Sequence, residues 1–472
     1  MNAPETEIQQ AVDDPRLQLA IYTATRRLIS HRAGVVNAEV LPHYQDLRNE
    51  ANAIKKHTIE NLDYYLEQLE ANVIAHGGHV VFCRTGAEAA DFVLDLAKKR
   101  DAHMLVKSKS MTSEEIHFND RLERHHLEAV ETDLGEYILQ LAHQRPYHIV
   151  APALHLTRYD VADVFSKELG AENEVVIEKQ TKFARGVLRQ KFLEAGIGVS
   201  GANFLIADSG AIVVVENEGN ARLSTSAPKI HVAIAGIEKL IPRAQDLAVF
   251  LNLLGRSATG QPLTAYTSFL SGPRRGTEID GPDEFYLILL DNGRTKLLAD
   301  EEKRQSLYCI RCGACLNHCP VYRKIGGHNY PGVYSGPIGA IITPQFQGVN
   351  EDTWLPFASS LCGACAEVCP VKIEIPKLLI KLREDVTEAQ RRFDPNGVER
   401  FAFQLFAWVA THPKIYLLLA SLGSICFPFV PRVGLLKKWA SQRTLPQPAN
   451  QSFHQWWGGR VGRQGGQAKG PQ

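Results

Sequence analysis

Seven of the nine cysteines in this sequence lie within one short stretch, between Cys309 and Cys369. The first four stand in CIRCGACLNHCP, in which the spacing is C-x2-C-x2-C-x3-C-P. This spacing is typical of bacterial [4Fe-4S] ferredoxins, because three thiolates two residues apart fit a tight loop around one face of a cubane cluster. The fourth thiolate points toward a second cluster. We therefore expect an iron-sulfur site that begins with Cys309, Cys312, Cys315 and Cys319.

A second copy of the motif, SSLCGACAEVCP, follows and has only three cysteines. Aligned on its Cys-Pro pair, it has Ser359 where the first copy has Cys309. If the crossed ligation of two-cluster ferredoxins applies, the seven thiolates divide into two sets. Cluster one takes Cys309, Cys312, Cys315 and Cys369. Cluster two takes Cys319, Cys362 and Cys365, and is one thiolate short.

Three kinds of second cluster fit this deficit. They are a [3Fe-4S] cluster, a [4Fe-4S] cluster whose fourth iron is bound by Ser359 or another oxygen or nitrogen donor, and a [4Fe-4S] cluster with an open iron site. An open iron would bind substrate as a Lewis acid, but two clusters in one module more often relay electrons. We expect two electron-carrying clusters, with [4Fe-4S] favoured for both. Cys83 and Cys426 lie in apolar runs and are expected to be packed core thiols.

The overall composition is that of an ordinary globular protein. Its 472 residues predict two or three domains, and its 52 basic and 52 acidic side chains cancel, which indicates no nucleic-acid partner. Disulfide scaffolds are typical of short secreted chains. This long chain begins with an acidic, polar segment, MNAPETEIQQAVDDP, that lacks the apolar core of a signal peptide. We expect a disordered lead there and a cytoplasmic protein.

Hydrophobic periodicity divides the chain into five parts. Residues 1–75 are the N-terminal part, in which apolar residues at helical spacing from about residue 16 to 75 predict two helices. In residues 76–298 strand-like apolar runs alternate with amphipathic segments, which is typical of an α/β domain with a largely parallel sheet. Residues 299–392 predict an α-helical ferredoxin-like module with two clusters. Residues 393–445 predict an apolar helical segment, and residues 446–472, rich in Gly and Gln, a disordered tail.

The apolar segment near the C-terminus is too short to span a membrane. Its longest uncharged run, residues 415–430, has 16 residues and contains Pro428, whereas a spanning helix needs about 20 apolar residues. We expect a helical pair that packs on the cluster module or on a partner subunit, with membrane contact at most peripheral.

The α/β part contains one glycine pattern that resembles a dinucleotide site. Gly196, Gly198 and Gly201 satisfy G-x-G-x-x-G, but they follow a helical segment and lead into a strand. A dinucleotide fingerprint must follow a strand and open a helix. We therefore interpret this segment as a helix stop and a loop.

Three other segments of this part lie at the ends of predicted strands and are candidates for a ligand pocket. They are CRTGAEA around Gly86, residues 107–115 and residues 208–229. Taken singly, their polar residues are explained equally well by turns and helix caps, which would use Thr85, Thr112, Ser113 and Asp208. Together they predict a pocket but no reaction, and the sequence names no catalytic residue.

Several of these segments together resemble one protein family. VKSKSMTSEEI, IADSGAIVVVENEGNARLSTSAPKIHV, CIRCGACLNHCPVY and SLCGACAEVCPVKI are similar to segments of the lactate-utilisation iron-sulfur proteins of the LutB type. In that family a LUD domain precedes ferredoxin-type clusters, and the resemblance covers nearly the whole chain. It implies a cytoplasmic complex with two sister subunits that oxidises L-lactate to pyruvate, in which this chain carries electrons to a downstream acceptor. It also implies that the three-cysteine second motif is the family's own pattern.

Two functional classes follow from these observations. In the first, the chain is the iron-sulfur electron-transfer subunit of a lactate-oxidising complex. In the second, the LUD domain is catalytic and binds the hydroxy acid directly, and an open iron of the second cluster is one candidate site. The sequence has no credible flavin or nicotinamide motif, which weakens the second class, since oxidation of an alcohol carbon normally needs such a cofactor.

Overall fold

The computed structural model describes residues 3–393, 397–426, 449 and 452–465. Contacts within the chain divide it into two compact units, Met1–Ala389 and Gln390–Gln472. Each unit is described by itself below.

The chain begins with helices. They are Glu5–Asp13 (α1), Pro15–Val35 (α2), Tyr44–Glu60 (α3) and Leu62–Ala75 (α4). Helix α2 begins after Asp14, whose side chain accepts from two backbone N–H groups, and with a proline at its first position. The expected disordered lead is wrong over α1, because Ala3 and Ile8 pack against the hydrophobic core. The prediction of two helices over about residues 16–75 is likewise wrong, since short turns divide this segment into three, α2, α3 and α4.

The centre of the first unit is a six-stranded, wholly parallel sheet in the order β1-β10-β7-β4-β2-β3. Its strands are His79–Cys83 (β1), Met104–Lys107 (β2), Glu128–Glu131 (β3), Ile197–Ser200 (β4), Ile230–Gly236 (β7) and Glu284–Leu290 (β10). Every residue of β4 and β7 is buried, as expected for inner strands covered on both faces. The parallel α/β prediction is confirmed.

A second, four-stranded sheet in the order β8-β5-β6-β9 was not predicted. Its strands are Phe204–Ile206 (β5), Ala211–Glu216 (β6), Leu240–Ile241 (β8) and Tyr266–Leu270 (β9). Strand β6 pairs antiparallel with β5 and β9, while β5 and β8 are parallel. The strand-like apolar runs predicted within residues 76–298 include the segment of β5 and β6, but two-residue β8 is too short to give a periodic signal.

Eight helices connect these strands. They are Gly86–Lys99 (α5), Met111–Glu115 (α6), Phe118–Glu123 (α7), Leu134–Leu141 (α8), Arg158–Leu169 (α9), Ile177–Glu194 (α10), Asn220–Ser226 (α11) and Leu247–Ala258 (α12). The G-x-G-x-x-G pattern straddles β4, which follows α10 and leads to β5. It opens no helix, in agreement with the interpretation that it is no dinucleotide fingerprint, but Ile197–Ser200 form a buried strand and not the expected loop.

Six further helices follow, of which α14 and α17 contain motif cysteines. They are Arg294–Leu298 (α13), Ala314–His318 (α14), Tyr322–Ile325 (α15), Gly336–Gln347 (α16), Ala364–Val368 (α17) and Ile375–Phe393 (α18). Five of the motif cysteines belong to the same hydrophobic core as residues of α3, β5, β6 and α12. The cysteine-rich region is therefore packed onto the rest of this unit and is not a separate domain joined by a linker.

The second unit contains helices Val398–Thr411 (α19), Pro413–Cys426 (α20) and Phe453–Gly465 (α21). Helix α19 packs against α20, in agreement with the predicted apolar pair. The predicted disordered tail is wrong over α21, where Phe453 stacks on Trp457. No helix within residues 3–393, 397–426 or 452–465 is long and apolar enough to cross a membrane.

Candidate iron-sulfur centre

The first cysteine motif forms a tight turn that leads into α14. Its backbone is left-handed at Arg311 (φ 59°) and Gly313 (φ 73°). A left-handed φ costs a non-glycine residue roughly 1–2 kcal/mol, so surrounding contacts must hold Arg311 in this shape. The turn directs the Arg311 N–H at Cys309 Sγ, 3.4 Å away. Hydrogen bonds of this kind stabilise cluster-bound sulfur and influence the reduction potential.

The second motif repeats this turn and leads into α17. Its backbone is left-handed at the equivalent positions, Leu361 (φ 53°) and Gly363 (φ 86°). The Leu361 N–H donates to Ser359 Oγ over 3.1 Å. Ser359 Oγ therefore has the same hydrogen-bonded position in the second turn that Cys309 Sγ has in the first.

The thiols of the two motifs come together because α14 packs against α17. Their mutual electrostatic effects on pKa divide them into two groups. The first group consists of Cys309, Cys312, Cys315 and Cys369. The second consists of Cys319, Cys362 and Cys365. Each group contains one cysteine from the other motif, as in the crossed arrangement of two-cluster ferredoxins, and Cys315 and Cys365 link the groups.

The two groups differ in burial. In the first, Cys312, Cys315 and Cys369 are only 7–9% exposed, and burial raises the pKa of Cys369 to about 11. In the second, Cys365 and Cys319 are buried but Cys362 is exposed, and the Ala364 N–H lowers its pKa. A buried thiolate needs a compensating positive charge. The first group therefore requires a metal centre or cations to keep its sulfurs ionised.

Positive charge surrounds the first group. Lys55, Lys239 and Arg311 are buried, and each interacts electrostatically with Cys309. One carboxylate, Glu238, lies 3.4 Å from Arg311 Nη2. Within the described part of the chain, Nε and Nη1 of Arg311 have no hydrogen-bond partner. A cluster bound by four thiolates is anionic and would compensate this charge, so the residues fit an iron-sulfur cluster.

The two histidines of the cysteine-rich region form hydrogen bonds with backbone carbonyl groups. His318 Nδ1 lies 2.9 Å from the Ala314 carbonyl and His328 Nε2 lies 2.8 Å from the Arg145 carbonyl. Over the described ranges, no three His, Cys, Asp or Glu side chains are arranged to hold one metal ion. A cubane has a different requirement, because each thiolate binds its own iron and the ligands stand around the cluster.

The N-terminal helices hold the second motif in place. Arg48, on α3, donates from Nε to the Cys369 carbonyl (2.9 Å) and from Nη2 to the Ala366 carbonyl (3.2 Å). Asn52, one turn later, donates to the Val371 carbonyl over 2.8 Å. These bonds satisfy carbonyls in and just after α17, and no sequence pattern indicated them.

A cavity lies beside the first group, at the carboxyl ends of β2 and β4. Its volume is about 300 Å³, and Arg311 and Cys312 form part of its wall. Segment 108–112 and residues 214–218 also line it, so two of the three predicted pocket segments contribute. Gly86, in the third, does not line it and packs against Ile116 instead.

Comparisons with known proteins match three regions of the chain. Family models match a LUD domain at residues 66–290, a 4Fe-4S dicluster domain at 305–373 and the C-terminal region of lactate utilisation protein B at 383–461. "Lactate utilization protein B" of Bacillus thuringiensis (strain Al Hakam) is 44% identical over 457 residues, which cover 95% of each chain. The protein of that name from Bacillus anthracis (strain A0248) gives the same values.

The chain belongs to the lactate utilization protein B family. A crystal structure of a DUF162 family protein from Deinococcus radiodurans aligns with 48% of this chain and 98% of its own, at 10% identity and a TM-score of 0.28. That score is too low to support any detail of the fold.

This member of the lactate utilization protein B family also has a buried charge cluster that the sequence did not indicate. Lys107 Nζ lies 2.6 Å from Glu131 Oε1 and 2.7 Å from Glu114 Oε1. Burial opposes the charge of Lys107, but the two carboxylates outweigh it and raise its pKa. Burial also raises the pKa of Glu136, next to this cluster, to about 8. Lys107 is thus engaged by carboxylates and does not line the cavity.

The remaining predictions of single residues have mixed outcomes. Cys83 is 5% exposed in an apolar cluster, as predicted for a core thiol. The side chain of Cys426 lies outside the described residues. Thr85 caps α5, as predicted, whereas α6 is capped by Ser110 and not by its neighbours Thr112 or Ser113. The side chain of Asp208 accepts a hydrogen bond from the Ala244 N–H at 3.2 Å. It does not cap an α-helix at the end of the preceding strand.

Proposed function

We propose that this chain is the iron-sulfur electron-transfer subunit of a cytoplasmic complex that oxidises L-lactate to pyruvate and so allows lactate to serve as a carbon source. The observation that carries the proposal is the division of seven thiols into two adjacent groups, one buried and one reaching the surface. Membership of the lactate utilization protein B family supports the substrate. Seven unpaired cysteines are typical of a reducing compartment, which supports the cytoplasm.

The proposal includes two [4Fe-4S] clusters, each of which accepts and donates one electron at a time when bound. Their ligands are two sets of side chains. Cys309, Cys312, Cys315 and Cys369 hold the first cluster. Cys319, Cys362, Cys365 and the hydroxyl of Ser359 hold the second. The support for Ser359 is its hydrogen bond from Leu361 N–H, which matches the bond at Cys309.

We propose that residues 299–392 form this cluster domain and residues 76–298 the LUD domain. The two sister subunits and the downstream electron acceptor are the partners of the chain, and the exposed Cys362 marks the surface nearest to them. Exposure favours electron exchange there because a partner can approach the second group closely, while the first group lies in the core.

The test compares this chain alone with the complex under anaerobic conditions. L-lactate is added to the reconstituted chain with and without its two sister subunits, and bleaching of the visible iron-sulfur absorbance is recorded. We expect bleaching only with the sister subunits present. Bleaching of the isolated chain would instead make it the catalytic subunit, and no bleaching of the active complete complex would exclude it as the electron carrier.

A further inference from the structure

The helices of the second unit expose a large amount of apolar surface. Phe401, Phe403 and Phe406 of α19 are each 65–67% exposed, and Trp408 is 51% exposed. Within the described ranges, thirteen large apolar side chains of α19, α20 and α21 are exposed. Single exposed apolar side chains are normal on a protein surface, but many large ones together mark an interaction site. We therefore expect another molecule to cover this surface.

The apolar side chains of α19 lie on both sides of the helix. Phe401 and Trp408 are seven residues apart and share one face, while Phe403 and Phe406 are three apart and share the opposite face. From residue 401 to 426, Lys414 is the only Lys, Arg, Asp or Glu. A helix that docks in a protein groove has one apolar stripe, whereas a helix that is apolar all round needs apolar surroundings on all sides. Lipid provides such surroundings.

Helix α21 has the pattern of a helix that lies in the surface of a membrane. Phe453, Trp456 and Trp457 are at positions i, i+3 and i+4, so they share one face, and all three are exposed. One turn later, the Arg460 guanidinium lies 5.0 Å from the centre of the Trp456 ring. Tryptophan prefers the boundary between water and lipid. An arginine beside it can reach lipid phosphates while its carbon stem stays in apolar surroundings.

The charge of this part of the chain fits an anionic surface. Residues 400–472 contain nine Lys or Arg side chains and no Asp or Glu, although the whole chain has 52 basic and 52 acidic side chains. An excess of one sign over such a stretch attracts polyanions and anionic lipid headgroups. A nucleic-acid duplex is anionic but has no apolar surface to cover α19 and α20. An anionic bilayer has both a negative surface and an apolar interior.

We infer that the second unit binds the surface of an anionic lipid bilayer. The aromatic face of α21 and the exposed apolar side chains of α19 and α20 enter the boundary between headgroups and acyl chains, and the basic side chains contact the headgroups. Helices with this composition lie in the membrane surface and bind it reversibly. The inference goes beyond the proposed function, because it uses neither the cysteine ligands nor the LUD domain.

Binding is tested by flotation of the anaerobically reconstituted full chain with lipid vesicles in a density gradient. Vesicles of phosphatidylglycerol and phosphatidylcholine carry bound protein upward, whereas aggregated protein sinks. We expect the wild type to float with these vesicles, and vesicles of phosphatidylcholine alone to bind it about tenfold more weakly or less. Binding should weaken between about 0.1 M and about 1 M salt, because the Debye length falls from about 10 Å to about 3 Å.

Two variants separate the apolar contribution from the charged one. Trp456→Ser combined with Trp457→Ser should weaken vesicle binding about tenfold or more, because two large apolar side chains no longer enter the lipid. Arg460→Gln should weaken it about fivefold, as expected for one positive charge near an anionic membrane. All three side chains are exposed, so the fold should be unaffected. The matched controls Tyr159→Ser and Lys182→Gln, at exposed positions of the first unit, should bind like the wild type.

Three flotation results would overturn the inference. They are failure of the wild type to float, equal flotation with neutral and anionic vesicles, and equal flotation of the wild type and the double tryptophan variant. If the apolar surface instead joins two copies of the chain or binds a sister subunit, the double variant will dissociate that assembly in sedimentation velocity, and no form of the chain will float. The proposed function is judged separately, since reduction of the clusters by L-lactate within the complex requires no lipid.

Discussion

The two cysteine motifs have the same backbone turn in different surroundings. Both turns are left-handed at two matching positions and present one side-chain acceptor to the same backbone N–H. The first turn is covered by His148 and Val150, whereas the space around Gly363 in the second is open. Arg311 in the first turn corresponds to Leu361 in the second. The turn therefore provides the ligand geometry, while burial and charge differ between the two groups.

The largest effect is expected from loss of a first-group ligand. Cys312→Ser replaces a buried thiol that is 8% exposed, and the first cluster should be lost because a neutral hydroxyl at this position is a poor substitute for a thiolate. Iron content should fall by about half, with the second cluster retained. Anaerobic iron analysis and electron paramagnetic resonance (EPR) measure this, with Cys83→Ala as the control in a core away from the motifs. Unchanged iron would contradict the ligand assignment.

Alanine at the two equivalent glycines separates the shared turn from its surroundings. Both substitutions place a Cβ at a left-handed φ, which costs roughly 1–2 kcal/mol. At Gly313 the added Cβ would also lie 3.1 Å from His148 Cε1 and from Val150 Cγ2, while at Gly363 it meets nothing within 4 Å. Crowding of this kind destabilises the folded protein by about a further 1–3 kcal/mol. Thermal unfolding of the reconstituted protein should therefore show a larger loss of stability for Gly313→Ala than for Gly363→Ala. Equal losses of stability would mean that His148 and Val150 do not pack tightly on the first turn.

Substitutions at Ser359 make the two motifs more or less alike. Ser359→Ala should change the EPR spectrum of the second cluster toward a three-iron form, because the fourth donor is removed. Ser359→Cys should give a second cluster with four thiolates and a spectrum closer to that of the first. Cys309→Ser is the mirror substitution in the first motif. A spectrum of the second cluster that is identical in the wild type and Ser359→Ala would exclude serine coordination.

Near neutral pH the smallest expected effect is the one that comes from His148, because its contribution to stability changes only below about pH 6.5. Its Nδ1 accepts from the N–H groups of Val150 and Ala151 (3.0 and 3.1 Å), so its Nε2 carries the proton and donates to Asn317. Burial, with a smaller contribution from Lys109, lowers its folded-state pKa from 6.5 to about 3. Below pH 6.5 the unfolded chain gains a proton that the folded chain does not. This contribution to stability is therefore complete above about pH 6.5 and is lost progressively toward pH 3, at about 1.4 kcal/mol per pH unit.

His148→Gln should make the thermal midpoint depend less steeply on pH between these limits. Exposed His125→Gln is the matched control and should leave the slope unchanged. A steeper slope in His148→Gln would show that His148 is protonated in the folded protein. The second motif offers no counterpart to this test, because no side chain covers Gly363 in the same way.

The sequence predicted those parts of the site that depend on local spacing. The cysteines, the missing ligand at Ser359 and the parallel sheet all produce patterns within a short window. The cations around Cys309 do not, since Lys55 comes from α3 and Lys239 from the turn after β7, and only the fold brings them together. The same limit explains the unpredicted second sheet, whose strands pair across long stretches of chain. Helix α21 was missed because its Gly and Gln content outweighed its aromatic cluster.

The most direct test of the two-group arrangement is iron and sulfide analysis combined with EPR of the anaerobic protein, before and after reduction with dithionite. The arrangement predicts about eight irons and two reduced clusters whose signals interact magnetically, since Cys315 and Cys365 bring the groups together. Bound zinc, or a single cluster that persists after reconstitution, would contradict it.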